Sequence, residues 1–199
     1  MNTSHRRPTA VIIAAGEGRR AGGYKPLWDL HGTKVIDHVV DAAATVCERV
    51  RVVGGAHFDE LEEHMRACHP RIELVRNTDW KSGGMFSSVR MGLEGLDRPA
   101  FIHPADIPGV GPGVYEVLAG ARDPDHEVFR PRFEDRPGHP ILLSEVAVEA
   151  ALGAPADTTL RHVLSGLRRK DVPVDDPMIH FDFDTPEDFE RLVAILEGR

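Results

Sequence analysis

Short apolar runs alternate along the chain with longer segments in which apolar residues recur every three or four positions. The short runs predict strands at residues 10–13, 50–53, 72–75, 99–103, 127–131, 140–143, 171–174 and 179–182. The longer segments predict helices at residues 35–47, 59–67, 87–96, 114–121, 146–151, 159–167 and from 186 onward. Such an alternation predicts a three-layer α/β fold, in which helices cover both faces of a mainly parallel sheet.

Two helix starts carry capping signals. Thr33 is expected to be the N-cap of the first helix. Thr185 is followed by Pro186 and, three residues on, by Asp188, which predicts the N-terminus of the last helix. The apolar positions of that last helix form one stripe, which we expect to face the sheet: Phe189, Leu192, Val193 and Leu196.

The chain shows no division into parts. Its 199 residues are 41% hydrophobic and 28% charged, which is enough for one sizeable core. We find no internal repeat, low-complexity tract or linker-like change of composition. We therefore expect a flexible N-terminus at residues 1–8 and a single domain at residues 9–199.

Charge and cysteine content limit the function classes. The net charge of −8 argues against general binding to nucleic acids or to anionic membranes, since both require a basic surface. No apolar run is long enough to span a bilayer, and the first residues lack the apolar core of a signal peptide. Cys47 and Cys68 are too few for a disulfide framework or a zinc site. We expect a cytoplasmic protein with reduced cysteines.

A glycine-rich loop at residues 14–27 follows the first predicted strand. Gly16 and Gly18 let the backbone reach positive φ and let a ligand approach, so that N–H groups can surround phosphates. The guanidinium of Arg20 suits the oxygens of a triphosphate, and the compact charge of Lys25 suits an α-phosphate or an incoming phosphate. The loop therefore predicts a triphosphate site.

Three other interpretations of this loop fit less well. Residues 16–21 match the G-x-G-x-x-G/A dinucleotide fingerprint, but Gly22, Gly23 and Pro26 interrupt the helix that must follow. The second predicted strand also ends in two glycines instead of an acidic residue. A Walker A loop needs Gly-Lys-Ser/Thr, which residues 23–26 do not supply. A merely flexible loop would not need cations at set positions.

Three carboxylates near predicted strand ends could hold Mg²⁺, which needs few protein oxygens because it keeps waters and phosphate oxygens. Asp106, just beyond residues 99–103, is the first candidate, with a turn-forming role before Pro108 as the alternative. Asp182 and Asp184 point the same way if the segment is extended. We favour Asp182 as the second ligand, because Asp184 also suits favourable capping of the last helix.

A second polar loop, residues 77–84, leads into the third predicted helix. Ser87 or Ser88 is at least the N-cap of that helix, and the same helix start could receive a nucleotide. No G-x-S-x-G elbow is present, so a hydrolase serine is not expected. Ligands of open α/β sheets bind at the carboxyl ends of the strands, so both loops and Asp106 should share one cleft.

Acceptor recognition is assigned to the loops around the predicted cleft. The residues are Asn77, Trp80 and His139, and for His139 a structural or merely exposed role is the alternative. The histidine spacings suit no established zinc pattern, so Mg²⁺ is the one metal expected.

The glycine-rich loop resembles the signature A-A-G-x-G-x-R-x-G-x-x-K-x-L of MobA-like nucleotidyltransferases. The matching residues are Ala14, Ala15, Gly16, Gly18, Arg20, Gly22, Lys25 and Leu27, whereas Ala21 replaces the usual methionine. Later motifs around residues 77–90, 106–108, 136–140 and 182–188 are similar to the ordered series of the molybdenum cofactor cytidylyltransferase branch. Phe86 stands where a small residue is usual, and residues 156–161 match only loosely.

This resemblance implies a three-layer, Rossmann-like nucleotidyltransferase fold and the transfer of CMP from CTP to molybdopterin bearing molybdenum, with release of pyrophosphate. The product would serve a molybdoenzyme client of the xanthine dehydrogenase type, and Ala15 favours cytidine over guanosine. The catalytic residues would be Lys25, Arg20 and Asp106, and the metal ligands Asp106, Asp182 and Asp184. Nucleotide binding would fall to Ala14, Ala15, Gly16, Gly18, Arg20, Lys25, Ser87 and Ser88.

Two alternatives remain open at this stage. The same chemistry could use GTP, or a sugar phosphate or another small phosphorylated acceptor. A non-catalytic accessory protein that binds a nucleotide is the second alternative, although the joint presence of Arg20, Lys25 and Asp106 argues against a decayed site.

Overall fold

A mixed sheet forms the centre of the protein. The computed structural model describes residues 6–18 and 22–198. The strands are β1 (Thr9–Ala14), β2 (Asp29–Leu30), β3 (Thr33–Lys34), β4 (Arg49–Gly54), β5 (Glu73–Arg76), β6 (Ala100–Pro104), β7 (Val128–Phe133), β8 (Arg136–Pro137), β9 (Ile141–Leu143) and β10 (Arg169–Pro173). The sheet has the order β10-β7-β9-β6-β1-β4-β5, β8 pairs with β7, and β2 and β3 form a separate hairpin.

Most neighbouring strands of this sheet run parallel. β1 lies between β4 and β6 and is parallel to both, and β5 is parallel to β4. β9 is antiparallel to its neighbours β6 and β7, and β10 is parallel to β7. The prediction of a mainly parallel α/β sheet is confirmed. The carboxyl ends of β1, β4, β5 and β6 therefore meet along one edge.

Helices cover both faces of the sheet. They are α1 (Val35–Val46), α2 (Phe58–Cys68), α3 (Gly84–Leu93), α4 (Pro112–Gly120), α5 (Glu145–Gly153), α6 (Leu160–Ser165) and α7 (Pro186–Glu197). One apolar cluster joins β1 to α1, α2 and α4 through Ala10 and Ile12. A second cluster joins β1 to α3, α5 and α6 through Val11. Because successive strand residues point to opposite faces, the continuous apolar run of β1 supplies both layers.

The last helix packs differently from the expectation. Thr185 is its N-cap and accepts a hydrogen bond from the Asp188 N–H, as predicted. Its apolar stripe, however, does not face the sheet. It packs on the β2–β3 hairpin, where the rings of Trp28 and Phe189 meet edge to face at 5.0 Å and Leu192 is buried. The period of the stripe shows that a face is buried, but it does not show what covers it.

Two further local predictions are wrong. The segment 179–182 is not a strand, because a 3₁₀ helix spans Pro177–His180, with the Asp176 carboxylate accepting the Met178 N–H at its start. Thr33 lies in β3, and the N-cap of α1 is Lys34, whose backbone N–H donates to Asp37. In both places the carboxylate of an aspartate accepts a backbone N–H at the start of the helix. The sequence pattern did not reveal this role of the aspartates.

Two residues of the predicted N-terminal segment contact the domain. Arg6 pairs with Asp97 at 2.6 Å, and Arg7 donates to the carbonyl of Val46. The chain is therefore anchored from Arg6, ahead of the start of the first strand. Residues 1–5 lie outside the described part.

None of the helices in residues 6–18 and 22–198 combines the length and the apolar character that crossing a membrane requires.

Candidate active site

A cleft of about 430 Å³ opens at the carboxyl ends of β1 and β6. Its walls come from the glycine-rich loop, from the start of α3 and from the turn after β6. Of the predicted residues, it collects Ala14, Ala15, Gly16, Gly18, Lys25, Trp80, Ser88, Asp106 and Asp184. The expectation that both loops and Asp106 share one cleft is confirmed. Arg20 lies outside the described residues.

The glycine-rich loop is closed on itself at its base. The hydroxyl of Tyr24 donates a hydrogen bond of 2.6 Å to the Ala14 carbonyl, and the Gly23 N–H donates to the Gly18 carbonyl. Gly18 has a φ of +70°, and a Cβ there would overlap the Gly23 carbonyl, so this position requires glycine. Burial raises the pKa of Tyr24 well above its usual value, which keeps the hydroxyl protonated as a donor. Tyr24 is a residue that the sequence-based prediction missed.

Trp80 forms a wall of the cleft against the backbone. A Cβ on Gly55 would stand 2.5 Å from the Ala15 carbonyl and 2.8 Å from Cβ of Trp80. The glycine after β4 thus lets the indole of Trp80 lie close to the loop. Beside it, the side chain of Met85 is 67% exposed at the first turn of α3 and also lines the cleft. The two side chains give the cleft an apolar lip.

Lys25 joins the two carboxylates of the cleft. Its amine donates to Asp106 Oδ2 at 2.8 Å, to Asp184 Oδ1 at 3.2 Å and to the backbone carbonyl of Phe183 at 2.6 Å. The side chain is 13% exposed. Lys25 begins a short 3₁₀ helix, Lys25–Leu27, whose second residue is Pro26. The loop after β1, the turn after β6 and the segment before α7 therefore meet at one ammonium group.

A buried histidine fixes the turn that carries Asp106. His103 Nε2 bonds to the carbonyl of Ile107 at 3.1 Å, and the other ring nitrogen bonds to the Tyr115 hydroxyl. Burial lowers the pKa of His103 to about 3, so the ring is neutral at pH 7. Nε2 is then the N–H that donates to Ile107, and Nδ1 accepts from Tyr115. The ring spans the turn from Pro104 to Pro108 and holds its backbone in place.

Asn77 links the second loop to α3. It is 1% exposed, and its side-chain amide donates hydrogen bonds of 2.8 Å to both Ser87 Oγ and Ser88 Oγ. Its own oxygen accepts the Asp79 N–H. Asn77 is thus buried and fully bonded. The geometry gives it the task of positioning the two serines rather than of contacting a ligand.

The serines differ from the prediction and from each other. Neither caps α3, because the helix begins at Gly84 and its N-cap is Gly83. Ser87 Oγ donates back to the Gly84 carbonyl, so its hydrogen is used. Ser88 lines the cleft, and within the described residues its hydroxyl hydrogen has no acceptor. Of the two, Ser88 is the donor available to a ligand.

The two remaining candidates lie beside the cleft. Asp182 is exposed, and it is absent from the cleft lining among described residues, whereas Asp184 is present. His139 is half-buried, and its backbone N–H donates to Ile179. Burial lowers the pKa of His139, while Asp106 and Asp182 act in the opposite direction. The structure brings Asp184 to Lys25, and the assignment of Asp182 as the second metal ligand stays a prediction.

A family model described as the MobA-like NTP transferase domain matches residues 10–172. The chain belongs to the MobA-like NTP transferase family. It is thus a nucleotidyltransferase that uses an NTP.

The curated relatives include two proteins named cytidylyltransferases and one named a probable guanylyltransferase. The molybdenum cofactor cytidylyltransferase of Escherichia coli is 27% identical over 180 residues, which cover 90% of this chain and 92% of that protein. The 2-aminoethylphosphonate cytidylyltransferase of Lancefieldella rimae is 34% identical over 133 residues, which cover 63% of this chain and 48% of that protein. A probable molybdenum cofactor guanylyltransferase of Bacillus cereus is 23% identical over 135 residues, which cover 67% of this chain and 66% of that protein.

Solved structures share the fold. A nucleotidyl transferase from Methanothermobacter superposes with a TM-score of 0.80 at 22% identity, covering 97% of this chain and 99% of that one. Rv0371c from Mycobacterium tuberculosis, in complex with manganese, superposes with a TM-score of 0.74 at 20% identity, covering 94% and 98%. At these identities the likeness concerns the fold alone.

The donor set of the cleft suits a hard divalent cation bound together with phosphates. Within the described residues, no group of three His, Cys, Asp or Glu side chains could hold a metal ion alone. Asp106 and Asp184 do supply two carboxylates that reach the same ammonium. Mg²⁺ takes few protein oxygens and completes its shell with waters and phosphate oxygens. Two carboxylates beside the glycine-rich loop therefore fit Mg²⁺ and do not fit a metal held by protein ligands only.

Proposed function

We propose that this protein transfers CMP from CTP to the terminal phosphate of molybdopterin bearing molybdenum and releases pyrophosphate. A phosphate oxygen of the acceptor attacks the α-phosphorus of CTP in line with the bond to the β-phosphate. One P–O bond forms to the acceptor, and the bond between the α-phosphorus and the bridging oxygen breaks. Pyrophosphate leaves with that electron pair.

The observation that carries the proposal is the convergence of Lys25, Asp106 and Asp184 below the glycine-rich loop. Phosphoryl transfer needs positioning and cationic stabilisation more than covalent help from the protein. In this scheme the Lys25 ammonium would contact the α-phosphate, where negative charge develops in the transition state. The loop backbone at residues 14–18 would bind the remaining phosphates through its N–H groups.

Asp106 and Asp184 would hold Mg²⁺ in this scheme, with Asp182 as a neighbouring carboxylate. When bound, the metal would neutralise the leaving pyrophosphate. The manganese complex of a protein with the same fold is consistent with this assignment. Arg20, outside the described residues, is proposed to bind the β- and γ-phosphates through its paired N–H donors.

Ser88 is proposed to recognise the nucleobase. Asn77 occupies one lone pair of Ser88 Oγ, which leaves the hydroxyl hydrogen for an acceptor in the cleft. The carbonyl oxygen of a pyrimidine is such an acceptor. The backbone at Ala14 and Ala15 lines the same cleft and would flank the base.

CTP and molybdopterin are favoured by the relatives. The molybdenum cofactor enzyme of Escherichia coli matches nearly the full length of both chains. Trp80 and Met85 form an apolar lip on which the flat face of a planar ring such as a pterin could stack. His139, near Asp106 but outside the described cleft lining, would act on the acceptor only indirectly in this conformation. The dinucleotide product would then be delivered to a molybdoenzyme client.

A second candidate keeps CTP and changes the acceptor. The relative of Lancefieldella rimae acts by name on 2-aminoethylphosphonate and is 34% identical over the shared region. A small phosphonate has no planar group to rest on the apolar lip. A non-catalytic role is disfavoured, because Lys25, Asp106 and Asp184 are all in contact.

The test measures pyrophosphate release with CTP, GTP, UTP and ATP in turn. Each nucleotide is supplied with molybdenum-bearing molybdopterin, with 2-aminoethylphosphonate and with no acceptor. The proposal predicts release only with CTP and the pterin. Lys25→Ala and Asp106→Ala should each lower the rate by about 10²- to 10³-fold. Release with the phosphonate instead would replace the first candidate with the second.

A further inference from the structure

The Lys25 ammonium donates all three of its hydrogens to oxygens of the protein. Three oxygens accept from it: Asp106 Oδ2 at 2.8 Å, Asp184 Oδ1 at 3.2 Å and the Phe183 carbonyl at 2.6 Å. Its charge also stands 5.1 Å from the centre of the Phe183 ring. An ammonium carries three donors and no acceptor. In this arrangement no hydrogen of Lys25 remains for a phosphate.

The same contacts obstruct the carboxylates. A Mg²⁺ ion must approach a carboxylate oxygen to about 2.0–2.1 Å. An ammonium on the same oxygens repels a divalent cation, and this repulsion is strong where the surroundings are partly shielded from water. Lys25 is 13% exposed, and Asp106 is 31% exposed. A bound metal therefore competes with the ammonium for the two carboxylates, and a bound phosphate competes with the carboxylates for the ammonium.

We propose that the Lys25 ammonium is an internal stand-in for the divalent cation. In the ligand-free protein it holds Asp106 and Asp184 near each other, and it leaves them when nucleotide and metal arrive. This inference rests on the proposed function, because the nucleotide is what offers the ammonium a new partner. The long, unbranched stem of lysine lets the charge move while the backbone of the Lys25–Leu27 turn stays in place.

The exchange couples the two ligands. A metal ion that binds without a nucleotide must displace an ammonium for which no phosphate is present as a new partner. A triphosphate on the glycine-rich loop accepts the ammonium and so frees the carboxylates. Binding of either ligand therefore strengthens binding of the other by the same factor. Without nucleotide, Lys25 keeps the affinity for metal low.

The test is a titration of Mn²⁺ in the absence of nucleotide, in which free Mn²⁺ is followed by electron paramagnetic resonance. Wild type is compared with Lys25→Met, which keeps the stem and removes the charge. Lys170→Met is the matched control, because Lys170 also pairs with a carboxylate at 2.8 Å and a backbone carbonyl at 3.0 Å, but far from the cleft. A second variant, Lys25→Met with Asp106→Asn, removes one of the proposed ligands.

Lys25→Met should bind Mn²⁺ at least about tenfold more tightly than wild type, within the range of ordinary site couplings. Lys170→Met should match wild type, and the double variant should lose the gain. Mn²⁺ should also raise the melting temperature of Lys25→Met more than that of wild type, since a ligand stabilises the fold it binds. This second readout also reports whether the variant folds.

If Lys25→Met bound Mn²⁺ as tightly as wild type or more weakly, the proposed stand-in role of the Lys25 ammonium would be overturned. Adding CTP should tighten Mn²⁺ binding by wild type more than by Lys25→Met, and equal effects would contradict the coupling. The proposed function is judged separately by pyrophosphate release from wild type. If wild type transfers CMP but the Mn²⁺ titrations are identical, only the stand-in fails. If Lys25→Met gains Mn²⁺ affinity but wild type transfers no CMP to the pterin, only the proposed function fails.

Discussion

The side-chain amide of Asn77 donates a hydrogen bond of 2.8 Å to Oγ of Ser88, whose own hydroxyl hydrogen has no acceptor within the described residues. Ser88 lines the cleft, whereas the hydroxyl of the neighbouring Ser87 donates its hydrogen bond to the Gly84 carbonyl. Two adjacent serines on one helix are therefore chemically distinct. Asn77 positions the donor, and Ser88 presents it.

This distinction predicts that Ser88→Ala raises KM for the nucleotide by about tenfold, the effect of losing one hydrogen bond of about 1.4 kcal/mol. Ser87→Ala should change KM by less than about twofold, since its bonds are internal. Ser88→Thr, which keeps the hydroxyl, should restore part of the affinity. The measurement is steady-state pyrophosphate release. Equal losses in the two alanine variants would contradict a special role for Ser88.

Gly18→Ala should disrupt the glycine-rich loop. The φ of +70° strains any other residue, and the new Cβ would overlap the Gly23 carbonyl. We expect at least about tenfold weaker nucleotide binding, because a strained backbone position costs about 1–3 kcal/mol and a tenfold change corresponds to about 1.4 kcal/mol. Gly113→Ala is the control, because Gly113 lies within α4 and a Cβ there meets nothing within 4 Å. Isothermal titration with CTP should show a loss for the first variant and none for the second.

Asp37→Ala should lower stability and spare the chemistry. The carboxylate is 8% exposed and accepts from His64 at 2.8 Å, from His69 at 2.9 Å and from the Lys34 N–H at 2.8 Å. Removing it leaves these donors unpaired between α1 and α2, which should cost about 1–3 kcal/mol. Asp41→Ala, at a side chain that is 71% exposed, is the matched control. Urea denaturation measures the difference, and a similar midpoint for both variants would refute the expectation.

The low pKa of buried His103 leads us to expect a loss of folding stability on mild acidification. Its pKa in the folded protein is about 3, below the ordinary value of 6.5. As pH falls below about 6.5, the unfolded chain takes up the proton first, so folding stability declines by about 1.4 kcal/mol per pH unit toward pH 4. His103→Gln should show a shallower decline in the same range. Urea denaturation at half-unit steps from pH 6.5 to pH 4.5 compares the slopes, and parallel curves would speak against a neutral buried ring.

The layers of the fold were predictable because periodicity reports burial directly. The apolar run at residues 10–13 indicates a strand covered on both faces, and β1 supplies both apolar clusters. What covers a stripe is a tertiary matter. The stripe of the last helix packs on Trp28 and the β2–β3 hairpin. The sequence did not predict this contact because strands of two residues carry no periodic signal.

The cleft was predictable in outline and less so in detail. The rule that ligands bind at the carboxyl ends of parallel strands gathers the glycine-rich loop, Ser88 and Asp106 correctly. The preference for Asp182 rested on the suitability of Asp184 for capping the last helix. In the structure the N-cap is Thr185, and Asp184 accepts a hydrogen bond from Lys25. Tyr24 was missed because a hydrogen bond to a carbonyl ten residues earlier leaves no local pattern.

The most direct test of the proposed transfer is the identity of the product formed by wild type with Mg²⁺, CTP and molybdenum-bearing molybdopterin. We expect one cytosine dinucleotide of the pterin for each pyrophosphate released, little product with GTP, and loss of product on adding a chelator. Mass spectrometry of the product beside a pyrophosphate assay measures both quantities. Release of pyrophosphate without a pterin dinucleotide, or equal yield with GTP, would contradict the proposed transfer.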